Sequence, residues 1–207
     1  FAESVLNGRA LVISPNFASD QTLYLVTNAF AHVSTDGGVN FAPATGWFST
    51  HTVDALTMAT DQIMFAAAAD ASEEGIFRSE NGGIDWTLMR SGVFTAVATS
   101  PDYETDNLVL ALDTTGQLHR SEDGGTTWTT PALTVSSSGT HTIAFSPTFV
   151  FDTDAQTDSR IMAASSDDVG AYLSDDGGLT WTHAGWYDPG DTFENGLIGG
   201  AVHDLAL

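Results

Sequence analysis

Short apolar runs alternate with turn-forming residues along the chain, and no helix-length pattern of period 3.6 interrupts them. The third stretch is the clearest, with runs at residues 94–99, 107–113, 117–121 and 127–133. β-Branched, aromatic and small apolar residues fill these runs, and Gly, Pro, Asp, Asn and Ser separate them, as expected of short strands joined by turns. Matching first and second runs occur at 10–13 and 22–26, at 53–58 and 62–68, and at 142–145 and 160–164. The pattern predicts an all-β chain of repeated four-strand units.

The turns carry the repeat. Four octamers share the form Ser-x-Asp/Asn-Gly-Gly-x-x-Trp/Phe at intervals of roughly 40–50 residues. Their serines are Ser34, Ser79, Ser121 and Ser174, followed by Asp36, Asn81, Asp123 and Asp176. The glycine pairs begin at Gly37, Gly82, Gly124 and Gly177, and the closing aromatics are Phe41, Trp86, Trp128 and Trp181. A second turn, Ser-Pro-x-aromatic followed three residues on by Asp, precedes three of the octamers. It begins at Ser14, Ser100 and Ser146; the second repeat has a tighter Ala-Thr-Asp turn instead.

Four strands per repeat of this length make the unit of a propeller blade. The octamer then joins the third strand of a blade to the fourth. Asp or Asn accepts backbone N–H bonds within the turn, and the Gly-Gly pair supplies positive φ. Ser adds a second local hydrogen bond, and the aromatic packs beneath the turn. These residues are expected to be structural, within one repeat domain whose blades span 10–50, 51–92, 93–140 and 141–199. Phe1 stands where a box aromatic would stand, so 1–9 reads as the last strand of a preceding blade. Residues 200–207 align with the first strand of the second repeat and read as the start of a following blade. The expectation is a partial propeller, a window on a ring of about six to eight blades completed by the remainder of a longer chain or by adjoining chains.

The repeats resemble the BNR/Asp-box superfamily, which includes sialidases, xyloglucan-active glycoside hydrolases, sortilin-type receptor domains and a photosystem II assembly factor. The Ser-Pro-x-aromatic turn combined with Arg78 or Arg120 directly before the box serine is most similar to exported microbial repeat proteins. The resemblance implies that the boxes lie at the propeller periphery, away from the ligand-binding axis.

Charge narrows the function classes. Twenty-seven acidic residues stand against five basic ones, all arginine, for a net charge of −22. Such a surface repels nucleic acid and anionic lipid and favours cations, basic partners or salty solvent. The absence of cysteine excludes disulfides and thiolate metal sites. No apolar stretch approaches the ~18 residues of a membrane span. A sialidase needs an arginine cluster for its substrate carboxylate. With Arg78 and Arg120 assigned to the repeat, only Arg9, Arg90 and Arg160 remain, and no Arg-Ile-Pro motif is present.

Three groups of side chains are candidates for chemistry. Asp54 and Asp204 fall at matched places in first strands, where a glycosidase carboxylate could sit but a strand-edge polar residue is the plainer reading. The segment after the fourth box sets Trp186, Tyr187 and Phe193 beside Asp188, Asp191 and Glu194, a mixture suited to sugar stacking or a protein interface. Asp152, Asp154 and Asp158 follow a D-x-D-x-x-x-D spacing that resembles the start of a calcium loop, without its Gly and terminal Glu. No two histidines have a zinc-ligand spacing. The expectation is therefore a noncatalytic propeller, extracellular or on the cell surface, that binds protein or glycan, with calcium as its one candidate cofactor. The alternatives are part of a xyloglucan-active hydrolase and an assembly factor of the photosystem II type.

Overall fold

Each repeat folds into one antiparallel sheet. The structure, a computed structural model, describes residues 8–27, 30–70, 72–135, 139, 141–150, 160–165 and 171–184. The first sheet runs in order through β1 (Gly8–Ile13), β2 (Leu23–Thr27), β3 (Ala31–Ser34) and β4 (Ala42–Pro43). The second follows with β5 (Thr52–Met58), β6 (Met64–Ala69), β7 (Glu74–Ser79) and β8 (Thr87–Ser91). The third holds β9 (Phe94–Thr99), β10 (Val109–Asp113) and β11 (Leu118–Ser121). The fourth holds β12 (His141–Phe145), β13 (Ile161–Ser165), β14 (Ala171–Ser174) and β15 (Thr182–Ala184).

Every described neighbour pair with a resolved register is antiparallel, so a sheet needs only hairpin connections. By its contacts the chain divides into two compact units, Phe1–Phe94 and Thr95–Leu207. In the first unit, Tyr24, Val26 and Ala31 of one sheet share a core with Val53, Leu56, Met64 and Phe77 of the next. In the second, Leu108, Leu110, Leu112 and Leu118 pack with Phe149, Ile161 and Ala163. In the second and third blades the second strand is covered on both faces. Met64–Ala68 are therefore all buried, and so are Val109–Leu112. This is why those runs read as continuously apolar rather than alternating.

The third repeat departs from the expected pattern. No continuous strand forms over residues 127–133; two isolated bridges, Arg120 with Thr129 and Gln117 with Thr134, stand in its place. Pro131 lies between them and has no N–H to give the ladder. The side-chain amide of Gln117 compensates. Its Nε2 lies within 2.9–3.1 Å of the carbonyl oxygens of Leu118, Pro131 and Leu133.

The Ser-Pro turns also hold more structure than a plain turn. Those at Ser14 and Ser100 each close a single helical turn, α1 (Phe17–Asp20) and α2 (Tyr103–Asp106). Gln21 and Asn107 end these turns in the left-handed region, at φ 51° and 50°. Residues 1–7 and 200–207, on which the expectation of flanking blades rests, lie outside the described residues.

Candidate functional site

The boxes consume their own polar groups. In the third, Ser121 Oγ donates to Asp123 Oδ1 at 2.8 Å and accepts the Gly125 N–H at 2.8 Å. Asp123 Oδ1 accepts the Thr127 N–H at 2.8 Å, and its Oδ2 accepts the Thr127 hydroxyl at 2.6 Å. The carboxylate thus spans four residues rather than the two of a simple Asx turn. The same bonds tie Ser34 to Asp36 and Gly38, and Ser174 to Asp176 and Gly178. Asn81 substitutes in the second box, accepting from Ser79 Oγ and the Asp85 N–H. Both glycines of each box have positive φ; Gly124 and Gly125 stand at 65° and 89°.

The closing aromatics do more than fill space, and less of each is buried than the sequence suggested. The indole N–H groups of Trp86, Trp128 and Trp181 donate to the carbonyls of Gly83, Gly125 and Gly178 at 2.9, 2.8 and 3.1 Å. These tryptophans are half-buried. Phe41 has no such donor and is 40% exposed.

Each of the first three boxes is fastened to the turn between the first two strands of its blade. Gly37, Gly82 and Gly124 donate backbone N–H bonds to the carbonyls of Gln21, Gln62 and Asn107. Those turns close on themselves too. Ser14 donates to Asp20 Oδ2, whose Oδ1 accepts the Thr22 N–H; Ser100, Asp106 and Leu108 repeat the arrangement.

These bonds hold the carboxylates ionised. The backbone N–H of Asn40, its side-chain amide and Ser34 hold Asp36 at about 2, below the ordinary 3.8. Burial pushes Asp123 and Asp176 up, but bonds from Thr127 and Thr180 together with the box serines outweigh it, and both end below the ordinary value. The Ser14 hydroxyl leads the lowering at Asp20.

A second arrangement recurs at the other end of the sheet in two blades, one in each unit. Asp70 and Asp113 each cap the turn between second and third strands. Asp70 Oδ1 accepts the N–H groups of Ser72 and Glu73, and Asp113 Oδ1 accepts those of Thr115 and Gln117. The other carboxylate oxygen faces a histidine in both blades. His51 Nε2 lies 3.5 Å from Asp70 Oδ2, and His119 Nε2 lies 2.9 Å from Asp113 Oδ2. The two histidine side chains are only 9% and 8% exposed. Each is placed to brace its turn. Backbone bonds from Ser72 and Glu73 lead the lowering at Asp70. At Asp113 burial acts upward, and bonds led by His119 carry the group below its ordinary value.

The residues missed in the sequence sit in the first unit. A one-turn 3-10 helix, Gly46–Ser49, carries Trp47 and Phe48 into an aromatic cluster. Trp47 stacks on His51 at 4.0 Å and on Trp86 at 4.5 Å, and meets Phe77 edge-on. Phe48 packs against Tyr24 and Trp86. Beside this cluster opens a cleft of about 230 Å³, lined by Tyr24, Val33, Ala44, Phe48, Gly83 and Ile84 among others. The signal was present in Gly46-Trp-Phe48, but these residues fall between repeat positions, where the periodic pattern gives no expectation.

The other candidates separate plainly. Asp54 lies on β5, half-buried. Trp186, Tyr187, Asp188, Asp191, Phe193, Glu194, Asp204 and the calcium candidates Asp152, Asp154 and Asp158 lie outside the described residues. Among the described residues no group of three or more His, Asp or Glu side chains is placed to hold a metal ion, and no helix is long and apolar enough to cross a membrane.

Antiparallel sheets of up to four strands, one per repeat, with a Ser-x-Asp/Asn-Gly-Gly hairpin closing each, define a β-propeller fold built from Asp-box blades. Residues 172–183, around the fourth box, match the family model described as BNR/Asp-box repeat. Solved structures agree on the fold. A GH74 xyloglucanase from Xanthomonas campestris superposes with a TM-score of 0.63 at 17% identity, over 86% of this chain and 30% of that one. YCF48 bound to D1 peptide gives 0.55 at 15% identity, over 88% of this chain and 56% of that one. An auxiliary nutrient binding protein from Bacteroides thetaiotaomicron gives 0.62 at 13% identity, over 94% and 46%. The chain spans less than two thirds of the length of each. Comparison with curated proteins gives no match.

Proposed function

We propose that this chain is part of a noncatalytic, exported or cell-surface propeller that holds a binding surface for protein or glycan partners. The observation that carries this reading is the use made of its carboxylates. Asp20, Asp36, Asp70, Asp113, Asp123 and Asp176 are committed to local turns and held below the ordinary carboxylate range. These six serve turns, and a glycosidase acid, raised so that it still holds a proton at working pH, would have to be another residue. The fold itself is neutral between functions, since proteins of similar fold are named as a hydrolase, a nutrient-binding protein and a peptide-bound protein.

The second reading, part of a xyloglucan-active hydrolase, draws on the likeness to the xyloglucanase. A polysaccharide hydrolysis screen on the full-length protein separates the two. Binding without turnover is expected. Robust hydrolysis abolished by one carboxylate substitution would sink the scaffold reading.

A further inference from the structure

We infer that the cleft beside the second box receives one aliphatic or aromatic side chain from a basic peptide segment of a partner protein. The inference rests on the scaffold reading above and narrows its partner to protein. Size is the first argument. About 230 Å³ lies below the 300–1,000 Å³ of a typical small-molecule pocket. It suits a single anchoring side chain of the kind that dominates protein interfaces.

Lining is the second argument. Val33, Ala44, Phe48 and Ile84 present apolar surface, and among the lining side chains only Tyr24 and Thr45 carry a polar atom. Ile84, 71% exposed, stands at the rim, where burial under a partner is still to be gained.

Charge is the third. Asp85 follows Ile84 directly and is exposed. Glu80 is 70% exposed, although Arg78 partly neutralises it at 2.8 Å. Around these stands a chain of net charge −22. Such a field attracts arginine- and lysine-rich segments and repels acidic ones.

The test titrates the full chain with short synthetic peptides and follows amide signals by NMR. One peptide has a central Phe flanked by arginines. Its controls replace Phe by Ala, or the arginines by glutamates. Two variants accompany them. Ile84→Ala trims an exposed rim residue without adding charge, and Thr45→Arg sets a cation at the mouth on extended backbone (φ −107°, ψ −176°). The Phe peptide should shift Gly46, Gly83 and Ile84, and its affinity should fall as salt rises. The Ala control and the Thr45→Arg variant should each weaken binding about tenfold or more without altering the melting temperature. Ile84→Ala should weaken the Phe contact while preserving the melt. Absent shifts at these three residues, or equal binding of the glutamate control, overturns the proposal. Shifts there from xyloglucan oligosaccharides but not from peptides also overturn it and leave the scaffold reading standing. Hydrolysis of those oligosaccharides overturns the scaffold reading itself.

Discussion

Arg120 joins the last two blades, and its removal is the sharpest test of how these repeats cohere. It lies on β11 of the third blade with its side chain 3% exposed. Its Nε donates at 2.7 Å to the carbonyl of Gly177, inside the box turn of the fourth blade. Its Nη1 donates at 2.6 Å to Glu122, whose side chain is 55% exposed. The exposed partner contributes little, about 0–1 kcal/mol. The buried bond to the carbonyl is charge-assisted and is worth about 1.5–3 kcal/mol. Arg120→Leu removes both and leaves the Gly177 carbonyl without this donor, but it also relieves the cost of burying a guanidinium. The net loss should be about 2 kcal/mol, which for a chain of this length lowers Tm by about 4–8 °C. Arg120→Lys should lose nearly as much, because an ammonium has no Nε–H at that place. Glu122→Gln should move Tm by no more than about 4 °C. Thermal unfolding followed by circular dichroism measures all three. An Arg120→Leu protein that melts with the parent, or a Glu122→Gln protein that loses as much, would refute the reasoning.

Trp128→Ala removes a half-buried indole and its bond to Gly125, so it should cost about 2 kcal/mol, less than the ~3–5 of a fully buried aromatic. A variant that melts normally yet loses its partner would contradict the structural role of the box. Gly75→Ala should cost more than about 2 kcal/mol in a urea titration, since the new Cβ would meet the backbone carbonyl oxygen of Arg90 at 2.1 Å. Stability should also fall in acid. Asp36 is held at about 2 against an ordinary 3.8, so its contribution is complete above the ordinary value and is lost as pH falls through that window. Asp20, Asp70, Asp113, Asp123 and Asp176, lowered in the same direction, add to the loss. Asp36→Asn, which imitates the native Asn81, should flatten the dependence of Tm on pH below about 4. An unchanged slope would show that the box carboxylate does not sense folding.

The repeat, the strand order and the box were legible in the residues because they are local. Ser121, Asp123 and the Gly124-Gly125 pair close a turn within a few residues, so their spacing announces their bonds. The continuous apolar run at β10 was legible for a related reason, since burial on both faces leaves no polar position. Other features depended on residues far apart in the chain. Pro131 interrupts a strand that the apolar pattern alone would continue, and Gln117 repairs the gap from fourteen residues away. Arg120 reads as a repeat position until the fold carries it to Gly177, fifty-seven residues on. Trp47 and Phe48 look like loop residues until neighbouring blades bring Tyr24, Phe77 and Trp86 around them. Local hydrogen bonds write themselves into a sequence as fixed spacings; the meeting of one blade with the next does not, and in this protein that meeting forms the latch at Arg120 and the cleft beside Ile84.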